Sequence, residues 1–311
     1  MDPSTRVYVA GHRGLVGSAI LRRLEARGLR SVLTRTRAEL DLRDRAATTR
    51  FFEAERPEVV FLAAAKVGGI LANDRFPADF IRDNLLIQTH AIDAAYRSGA
   101  KKLVFLGSSC IYPKLAPQPI REDYLLTGPL EPTNDAYAIA KIAGIQMCRA
   151  YKKQFGFDAI CLMPTNLYGP NDNFDLQSSH VLPALIRKFH EAHARREASV
   201  TVWGTGTPRR ELLHVDDLAE ACLHLVDAYR EADPINVGTG VDVSIRELAE
   251  LVREVTGFAG EIVYDTSKPD GTPRKQLDVS KLHALGFRAR IGLREGIEDT
   301  YRWYLEHVAG G

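Results

Sequence analysis

Tyr137 and Lys141 stand four residues apart in the segment "NDAYAIAKIAG", where the residue pattern predicts a helix over 134–156. Residues four apart lie on one face of a helix, so the phenol and the ammonium would be neighbours. An ammonium beside a phenol stabilises the phenolate and lowers a pKa that starts near ~10, which makes tyrosine a usable acid or base near neutral pH. The spacing also arises by chance, and surface packing explains it equally well. Ser108, at the end of a predicted strand, favours the chemical interpretation.

A glycine-rich turn lies in "VYVAGHRGLVGSAI", where Gly11, Gly14 and Gly17 follow a strand-like run and open a helical pattern. Glycines permit a tight turn, a close approach of the backbone to a pyrophosphate and close helix packing, while the helix N-terminus supplies free N–H groups and a positive dipole. A glycine triplet alone is weak evidence, but its position between a strand and a helix strengthens it. We therefore predict a dinucleotide-binding site rather than a merely structural turn.

The choice of dinucleotide is indicated by the residues that follow the second strand, "LTRTRAELDL". An acidic residue there would bind the ribose hydroxyls of NAD. This chain has Arg35 and Arg37 instead, and Arg13 lies inside the glycine turn. Arginine forms charge-assisted bonds to phosphate, so we predict NADP rather than a solvated basic face. Asp41 would either contact the adenine or cap the next helix.

Cys110 follows Ser108 by two residues in "GSSCIYP". By residue type alone, Cys110 resembles a small buried hydrophobe. His180, in "SSHVLPAL", resembles a residue at the start of a helix. The chain has no CxxC pair, no HxxxH arrangement and no metal-ligand spacing, so we predict no disulfide framework and no metal. The remaining cysteines lie in apolar strand or helix patterns and are assigned to the core: Cys148, Cys161 and Cys222.

The elements that must position these residues alternate between strand and helix in the first half of the chain. Strands are predicted over residues 7–10, 59–63, 102–107 and 159–163, and helices over residues 15–28, 44–55, 77–99 and 134–156. This alternation predicts an α/β fold with a Rossmann-type, doubly wound parallel sheet. The second half is less regular, with loops over residues 164–180, 203–210 and 266–274. We expect a cofactor-binding domain over 1–165, to which later segments return, and a smaller, mainly substrate-binding α/β lobe over 166–311.

Composition excludes some classes of partner. The 311 residues carry a net charge of +1, with 45% hydrophobic and 26% charged residues, which is typical of an ordinary soluble protein. A near-neutral balance offers no footprint for nucleic acid or an acidic membrane surface. The N-terminus lacks a signal-peptide pattern, and the longest apolar run, "VVFLAAA", is too short to span a bilayer. We predict a cytoplasmic enzyme with free thiols.

The order and intervals of the glycine turn, Ser108 and the Tyr-x-x-x-Lys pair resemble those of the extended short-chain dehydrogenase/reductase family. The segments "SSCIYP", "YAIAKIAG", "PTNLYGPNDNF" and "VWGTGTPRRELLHVDD" extend the resemblance over nearly the whole chain. The resemblance implies that Ser108, Tyr137 and Lys141 form a reductase triad. Ser108 would hydrogen-bond a ketone at C4 of a sugar, Tyr137 would protonate it as hydride arrives, and Lys141 would hold the nicotinamide ribose.

The resemblance also implies a second activity at the same site, 3,5-epimerisation of the sugar. Together with the NADPH-dependent 4-reduction, it would convert GDP-4-keto-6-deoxy-D-mannose to GDP-L-fucose. The hydrogens on C3 and C5 are both α to the ketone, so their removal gives an enolate that the site can stabilise. Inversion needs a base on one face and an acid on the other. The resemblance assigns Cys110 as the base and His180 as the acid.

Binding residues are implied by the resemblance as well. Basic groups suit a diphosphate, an indole offers an aromatic face, and a carboxylate accepts bonds from hydroxyls. For the GDP-sugar these residues are Lys188, Trp203, Arg210, Asp270 and Lys275. At position 188 an arginine would be expected, so bidentate phosphate binding there is in doubt. The cofactor residues, with Gly11, Gly14 and Gly17 in the turn, are His12, Arg13, Leu15, Val16, Arg37, Asp41, Leu42, Leu106, Gly107, Lys141, Pro164, Thr165, Asn166, Leu167 and His180.

Two other functions remain open from the sequence. One is a 4-epimerase of the same family that holds NAD and cycles hydride without net redox, for example on a UDP-sugar; Arg35, Arg37, Cys110 and His180 speak against it. The other is a cofactor-sensing regulator or binding module, which an intact triad disfavours.

For assembly, the resemblance implies a homodimer that pairs helices within 84–99 and 137–153. The sequence leaves open whether their apolar residues face the sheet instead: Leu86, Ile87, Ile92, Ile142 and Ile145.

Overall fold

The computed structural model describes residues 1–268 and 270–310, and that part of the chain contains twelve strands. The strands are β1 (Val7–Ala10), β2 (Val32–Leu33), β3 (Val59–Leu62), β4 (Lys102–Leu106), β5 (Ala159–Pro164), β6 (Asn166–Tyr168), β7 (Ser199–Trp203), β8 (Arg209–His214), β9 (Ile235–Val237), β10 (Asp242–Ser244), β11 (Glu261–Asp265) and β12 (Arg274–Lys275).

Ten α-helices connect or cover these strands within the same described residues. They are α1 (Leu15–Ala26), α2 (Arg45–Glu55), α3 (Ile70–Arg75), α4 (Pro77–Arg97), α5 (Asp135–Phe155), α6 (Val181–Arg195), α7 (Val215–Ala228), α8 (Ile245–Thr256), α9 (Ser280–Ala284) and α10 (Leu293–Tyr304). Short 3₁₀ turns occur at Ser109–Ile111 and Glu122–Tyr124, and a π-helical turn at Leu305–Ala309 follows α10.

A six-stranded sheet forms the centre of the first half, in the order β2-β1-β3-β4-β5-β9, and every neighbouring pair in it is parallel. Strands β1, β3, β4 and β5 are buried along their whole length, as expected for a parallel sheet covered on both faces. The predicted Rossmann-type α/β fold is therefore confirmed.

The four predicted helices of the first half are also present as α1, α2, α4 and α5, and their ends differ from the predicted ends by at most two residues. Helix α5 ends where Gly156 adopts a left-handed conformation with φ 70°, a common way to stop a helix. Helix α4 packs along α5, and α1 packs along α7. These two helix pairs cover the two faces of the sheet.

The second half contains strands that the sequence did not indicate. Segments predicted as loops hold β6, the first two residues of β8 and the first of the two residues of β12. Strands β10, β8 and β12 form one sheet, to which β6 adds through β8, and β7 pairs with β11. The prediction of loops was wrong there because strands of two or three residues are too short to show an alternating pattern.

Buried apolar side chains form two clusters. The larger surrounds the six-stranded sheet and includes residues of α7 and β9, which lie far along the chain. The smaller is built from helices α6, α8 and α10 and from strand β8. No helix of the described residues is long and apolar enough to cross a membrane.

Candidate active site

The chain leaves the carboxyl end of β4 at Leu106 and enters a tight turn that carries two candidate residues. Ser108 lies half-buried at the start of this turn, and its Oγ accepts a hydrogen bond from the backbone N–H of Cys110 at 3.3 Å. Cys110 is buried, with 9% of its surface exposed. Carboxyl ends of parallel strands are where ligands bind in open α/β sheets, so the turn is well placed for chemistry.

Helix α5 brings Tyr137 and Lys141 to the same place. The Nζ of Lys141 donates to the backbone oxygen of Leu106 at 2.8 Å and lies 5.8 Å from the centre of the Tyr137 ring. The helix can approach β4 this closely because residue 144 is glycine: a Cβ there would lie 2.4 Å from the ring of Phe105. The spacing of Tyr137 and Lys141 therefore places both on the face that looks at the end of β4.

Burial dominates the electrostatics of this pair. It lowers the pKa of Lys141 to about 8, against which the thiol of Cys110 acts weakly. It also raises the pKa of Tyr137 above its ordinary value, with a further contribution from Cys110. The expected lowering of the phenol pKa was therefore wrong for this structure, because the ammonium is directed at the Leu106 oxygen while the phenol is desolvated. Tyr137 thus keeps its proton, which is the form that a general acid needs.

The Cys110 thiol is subject to opposing influences. Burial raises its pKa, while Lys275, the hydrogen bond from Ser108, and Lys141 act in the opposite direction, in that order. Lys275 therefore lies within electrostatic reach of the thiol, although it belongs to β12 in the other half of the chain.

His180 occupies the N-cap position of α6, where its side chain makes no capping hydrogen bond and is exposed to solvent. Protein groups crowd the ring enough that desolvation lowers its pKa, and the charge of Lys275 adds to the effect. Cys110 and His180 thus share one charged neighbour, Lys275.

The glycine turn has the shape that a dinucleotide requires. Gly11 has a left-handed backbone with φ 81°, and a Cβ at Gly17 would lie 2.1 Å from the oxygen of Gly11. Gly14 is the N-cap of α1 and offers no side-chain cap, so the first N–H groups of the helix face outward from the turn. This cradle fits a pyrophosphate. Leu15 and Val16 pack against the main core, and His12 is half-buried.

The three arginines proposed for cofactor choice differ in their surroundings. Arg35 donates to Glu55 at 2.6 Å and to the Thr34 oxygen at 2.7 Å, and it lies over the Phe51 ring. Arg37 is 73% exposed and its guanidinium is 3.7 Å from Asp41. Arg13 is exposed in the glycine turn. Arg37 and Arg13 are therefore available to a phosphate, whereas Arg35 is already paired.

Asp41 is engaged by Arg43, whose guanidinium approaches to 2.6 Å and lowers the pKa of this carboxyl to about 2. One of the two predictions for Asp41 was that it caps the next helix, and that prediction is wrong. The N-cap of α2 is Asp44, which accepts from the backbone N–H of Ala47. Leu42 is buried, and its carbonyl oxygen meets a ring nitrogen of His90 at 3.0 Å.

The segment after β5 is tied to β8. Thr165 donates from its backbone to Val237 at 3.0 Å, and both its hydroxyl and the Asn166 amide donate to the backbone oxygen of Glu211, at 3.2 and 2.9 Å. Pro164 ends β5, and Leu167 packs on the main core. Leu106 and Gly107 are buried at the neighbouring strand end. These residues line one edge of the sheet, where the cofactor residues were predicted.

The predicted GDP-sugar residues form two groups. Lys188 lies 5.4 Å from the ring of Trp203, which is 57% exposed, and Lys268 lies 5.8 Å from the same ring. The Arg210 guanidinium donates to the Thr272 oxygen at 2.6 Å, and Lys275 pairs with Arg210 in strand register. The sequence did not point to Lys268, although its neighbour Asp270 was among the predicted residues.

The carboxylate of Asp270 is hydrogen-bonded within the protein. It accepts from the backbone N–H and the hydroxyl of Thr205, at 2.9 and 2.7 Å. It thus braces the turn that follows Trp203. Among the described residues, no group of three metal-binding side chains lies close enough together to hold a metal ion.

A parallel six-stranded sheet, a glycine cradle and a buried Tyr-Lys pair at the same sheet edge define a dinucleotide-dependent enzyme of the short-chain dehydrogenase type. The chain belongs to the NAD dependent epimerase/dehydratase family, whose model matches residues 7–238. The predicted resemblance is thereby confirmed.

Similar proteins are found over nearly the full chain. A protein of Oryza sativa subsp. japonica named "Probable GDP-L-fucose synthase 1" is 62% identical over 99% of this chain and 94% of its own. The "GDP-L-fucose synthase" of Escherichia coli (strain K12) is 56% identical over 97% of each. A crystal structure of a GDP-L-fucose synthetase from Naegleria fowleri bound to NADP superposes with a TM-score of 0.92 at 30% identity, over 99% of this chain and 95% of that one.

Proposed function

We propose that this protein converts GDP-4-keto-6-deoxy-D-mannose to GDP-L-fucose, by inverting C3 and C5 and reducing the C4 ketone with NADPH. One observation carries the proposal: proteins named GDP-L-fucose synthase are 56% and 62% identical to this chain over nearly its whole length. It is supported by the grouping of Ser108, Cys110, Tyr137 and Lys141 at the end of β4.

NADP is the cofactor that this proposal requires. A family relative was solved with NADP bound. In this chain the glycine cradle at the start of α1 suits the pyrophosphate, and Arg13 and Arg37 are exposed cations that suit the 2′-phosphate. When bound, NADPH supplies the hydride for the C4 carbon.

For the reduction, the residues at the end of β4 act on the ketone oxygen. Ser108 donates a hydrogen bond to it, and Tyr137 gives up its proton as negative charge develops there. The raised pKa of Tyr137 keeps the phenol protonated until that charge appears. Lys141, held by the Leu106 oxygen, places a cation behind the phenol and stabilises the phenolate that remains.

For the inversions, Cys110 removes a proton from the carbon next to the ketone, and His180 delivers one to the opposite face. The negative charge of the resulting enolate rests on the same oxygen that Ser108 and Tyr137 contact. One polarised ketone thus serves both reactions, which explains why epimerase and reductase groups occupy one site.

The second half of the chain binds the GDP part of the substrate in this proposal. Lys188, Arg210 and Lys275 supply positive charge for the diphosphate, and the exposed Trp203 ring supplies a stacking surface. Domain roles follow: residues 1–165, with the later segments that join their sheet, bind the cofactor, and residues 166–311 mainly bind the sugar nucleotide.

We also propose a homodimer that pairs α4 and α5 of two copies. Leu86 on α4 and Ile139 on α5 are exposed, at 36% and 47%, on two helices that pack against each other. The apolar residues Ile92, Ile142 and Ile145 are buried instead and face the core of their own chain. A cytoplasmic location fits the four unpaired cysteines.

Incubation with NADPH and GDP-4-keto-6-deoxy-D-mannose tests the function. We expect one NADPH to be consumed for each sugar, with GDP-L-fucose identified by NMR. A 4-epimerase would interconvert a UDP-sugar without consuming NADPH, and a binding module would take up cofactor without turnover. Either outcome would overturn the proposal.

A further inference from the structure

Residues 66–69, here called the bridging segment, lie between β3 and α3 and are fixed by two buried amides. Asn84 on α4 is 3% exposed. Its side-chain oxygen accepts from the backbone N–H of Lys66, and its side-chain nitrogen donates to the backbone oxygen of the same residue, both at 2.9 Å. The buried amide of Asn73 donates to the backbone oxygens of the last two residues of the segment, at 2.7 and 3.0 Å. The bridging segment is therefore held at both of its ends.

On one side, the bridging segment contacts the support of Tyr137. Phe80 of α4 is 3% exposed, and its ring stands roughly perpendicular to the Tyr137 ring, with the centroids 6.4 Å apart. The Lys66 ammonium lies 5.6 Å from the centre of the Phe80 ring, and a Cβ at Gly68 would lie 3.1 Å from that ring. The segment thus packs on the aromatic ring that backs the proposed proton donor of the reduction.

On the other side, the bridging segment contacts the chain just before His180. The backbone N–H of Gly69 donates to the backbone oxygen of Ser178 at 2.8 Å. A Cβ at Gly69 would lie 3.0 Å from the backbone oxygens of both Ser178 and Ser179, which is closer than ordinary van der Waals contact. The backbone oxygen of His180 accepts from Ala184 in the first turn of α6, at 3.1 Å. The backbone of His180 therefore lies between two fixed points.

The loop before His180 is closed on itself around Ser178. The Asp175 carboxylate accepts from the backbone N–H and the hydroxyl of Ser178, at 3.0 and 2.9 Å. The Asn173 amide donates to the same hydroxyl at 2.9 Å. Because these bonds hold the loop together, a displacement of Ser178 moves the loop as a unit and carries His180 with it.

The bond between Gly69 and Ser178 also stands alone. Within the described part of the chain, no other hydrogen bond joins residues 171–180 to residues 1–165. The proposed base, Cys110, belongs to the first of these two ranges of the chain, after β4. The distance between the proposed base and the proposed acid is therefore set, on the acid's side, at the contact with Gly69.

We propose that Gly69 is a positioning residue for the inversion chemistry: its N–H and its lack of a side chain fix the backbone before His180 and so set where that ring stands. The inference rests on the proposed function for the use of His180 as the proton donor, but not for the contact itself. A misplacement of about 1 Å can cost about 10²-fold in rate, so a contact of this kind bears on catalysis.

The test adds one methyl group at the contact with Gly69→Ala. Gly69 is the N-cap of α3, and its φ of −64° and ψ of 177° suit alanine without backbone strain. Gly292→Ala is the matched control: Gly292 is the N-cap of α10, with φ −65° and ψ 153°, and a Cβ there has no described neighbour within 4 Å. The two variants therefore differ in the contact with the loop and not in the kind of substitution.

In Gly69→Ala we expect formation of GDP-L-fucose to fall about tenfold in kcat with KM for the GDP-sugar unchanged, because the proton donor is displaced. Exchange of the C3 or C5 hydrogen with deuterated solvent should persist, since Cys110 removes that proton. The first turnover of GDP-L-fucose with NADP, which forms NADPH and needs no inversion, should be unchanged. Asn73→Ala loosens the segment without adding bulk and should lower GDP-L-fucose formation about threefold.

The position of His180 is measured separately, without any sugar. Histidines labelled with ¹³C at Cε1 are observed by NMR in the full-length protein, and the His180→Gln variant identifies the signal of His180. That signal should shift in Gly69→Ala, because the ring moves relative to its surroundings. It should stay in place in Gly292→Ala.

An unmoved His180 signal in Gly69→Ala would overturn the inference, as would GDP-L-fucose formation equal to that of Gly292→Ala. An equal loss of the first turnover of GDP-L-fucose with NADP would also overturn it, because it would point to a general disturbance of the sheet edge. If the His180 signal moves as expected but the wild-type protein turns over no GDP-sugar, the positioning by Gly69 stands and the proposed function fails.

Discussion

The two groups of proposed catalytic residues are built in different ways. Ser108, Tyr137 and Lys141 come from β4 and α5, which pack directly on each other around the glycine at position 144. Cys110 and His180 come from a short turn after β4 and from the exposed start of α6, which lie in different halves of the chain. The reductase group is anchored in the core of one sheet. The proposed epimerase group is drawn from segments that are distant in the sequence.

This difference has a consequence for how the two activities respond to damage. Interactions within a packed helix and strand are lost only when the core itself is disturbed. The segment that follows Cys110 is instead held by hydrogen bonds from distant residues, such as those that join Asn236 to Tyr112 and Ile120. We therefore expect variants that loosen β12 to lose inversion before reduction.

The largest effect is expected from Tyr137→Phe, which removes the proton donor from the reductase group alone. NADPH oxidation should fall by about 10³-fold, since general acid catalysis contributes on this order. Exchange of the C3 or C5 hydrogen with deuterated solvent should remain measurable by NMR, because removal of those protons does not require the phenol to donate. Loss of exchange in a folded, substrate-binding variant would show that the two groups are not separable.

Cys110→Ser removes the proposed base of the epimerase group and leaves the reductase group intact. A serine hydroxyl is far too weak an acid to be ionised at neutral pH, so solvent exchange and inversion should fall by about 10²-fold or more. Slow NADPH oxidation should persist and yield a GDP-6-deoxy sugar that has not been inverted.

Cys222→Ser is the matched control for that variant, because Cys222 is a fully buried cysteine of α7. It should retain inversion even if the protein becomes less stable. Formation of GDP-L-fucose by Cys110→Ser at the wild-type rate would reduce Cys110 to a packing residue.

The same contrast explains which features the sequence could predict. The glycine turn, Ser108 and the Tyr137–Lys141 pair are encoded by short spacings within one strand or helix, so periodicity is enough to find them. Strands of two or three residues, such as β6 and β12, show no period. Nothing in the sequence indicates that Arg35 pairs with Glu55, or that the backbone of Ile120 bonds that of Gln276, because these contacts arise only when distant segments pack together.

The cofactor site offers an intermediate case, since Arg35 is held by Glu55 at 2.6 Å, whereas Arg37 is 73% exposed and only 3.7 Å from Asp41. Arg37→Glu should change the NADPH/NADH preference in kcat/KM by about 10- to 100-fold, because it removes a phosphate partner and adds a repelling charge. Arg35→Gln, a control in which the lost partner is Glu55, should change the preference much less. The reverse order would place the 2′-phosphate beside Arg35 instead.

The smallest effect is expected at Asp270, which braces the turn after Trp203 through two bonds to Thr205, at 2.9 and 2.7 Å. Asparagine keeps the shape but can accept only through its oxygen, so Asp270→Asn loses one bond and the charge that faces Arg210. Such a loss is worth about 0.5–1.5 kcal/mol, so KM for the GDP-sugar should rise about three- to tenfold with kcat unchanged. Asp265→Asn is the control, because that carboxylate bonds Ser267 within its own turn. A fall in kcat for Asp270→Asn, rather than a rise in KM, would mean that this turn bears on the chemistry at β4 and not only on binding.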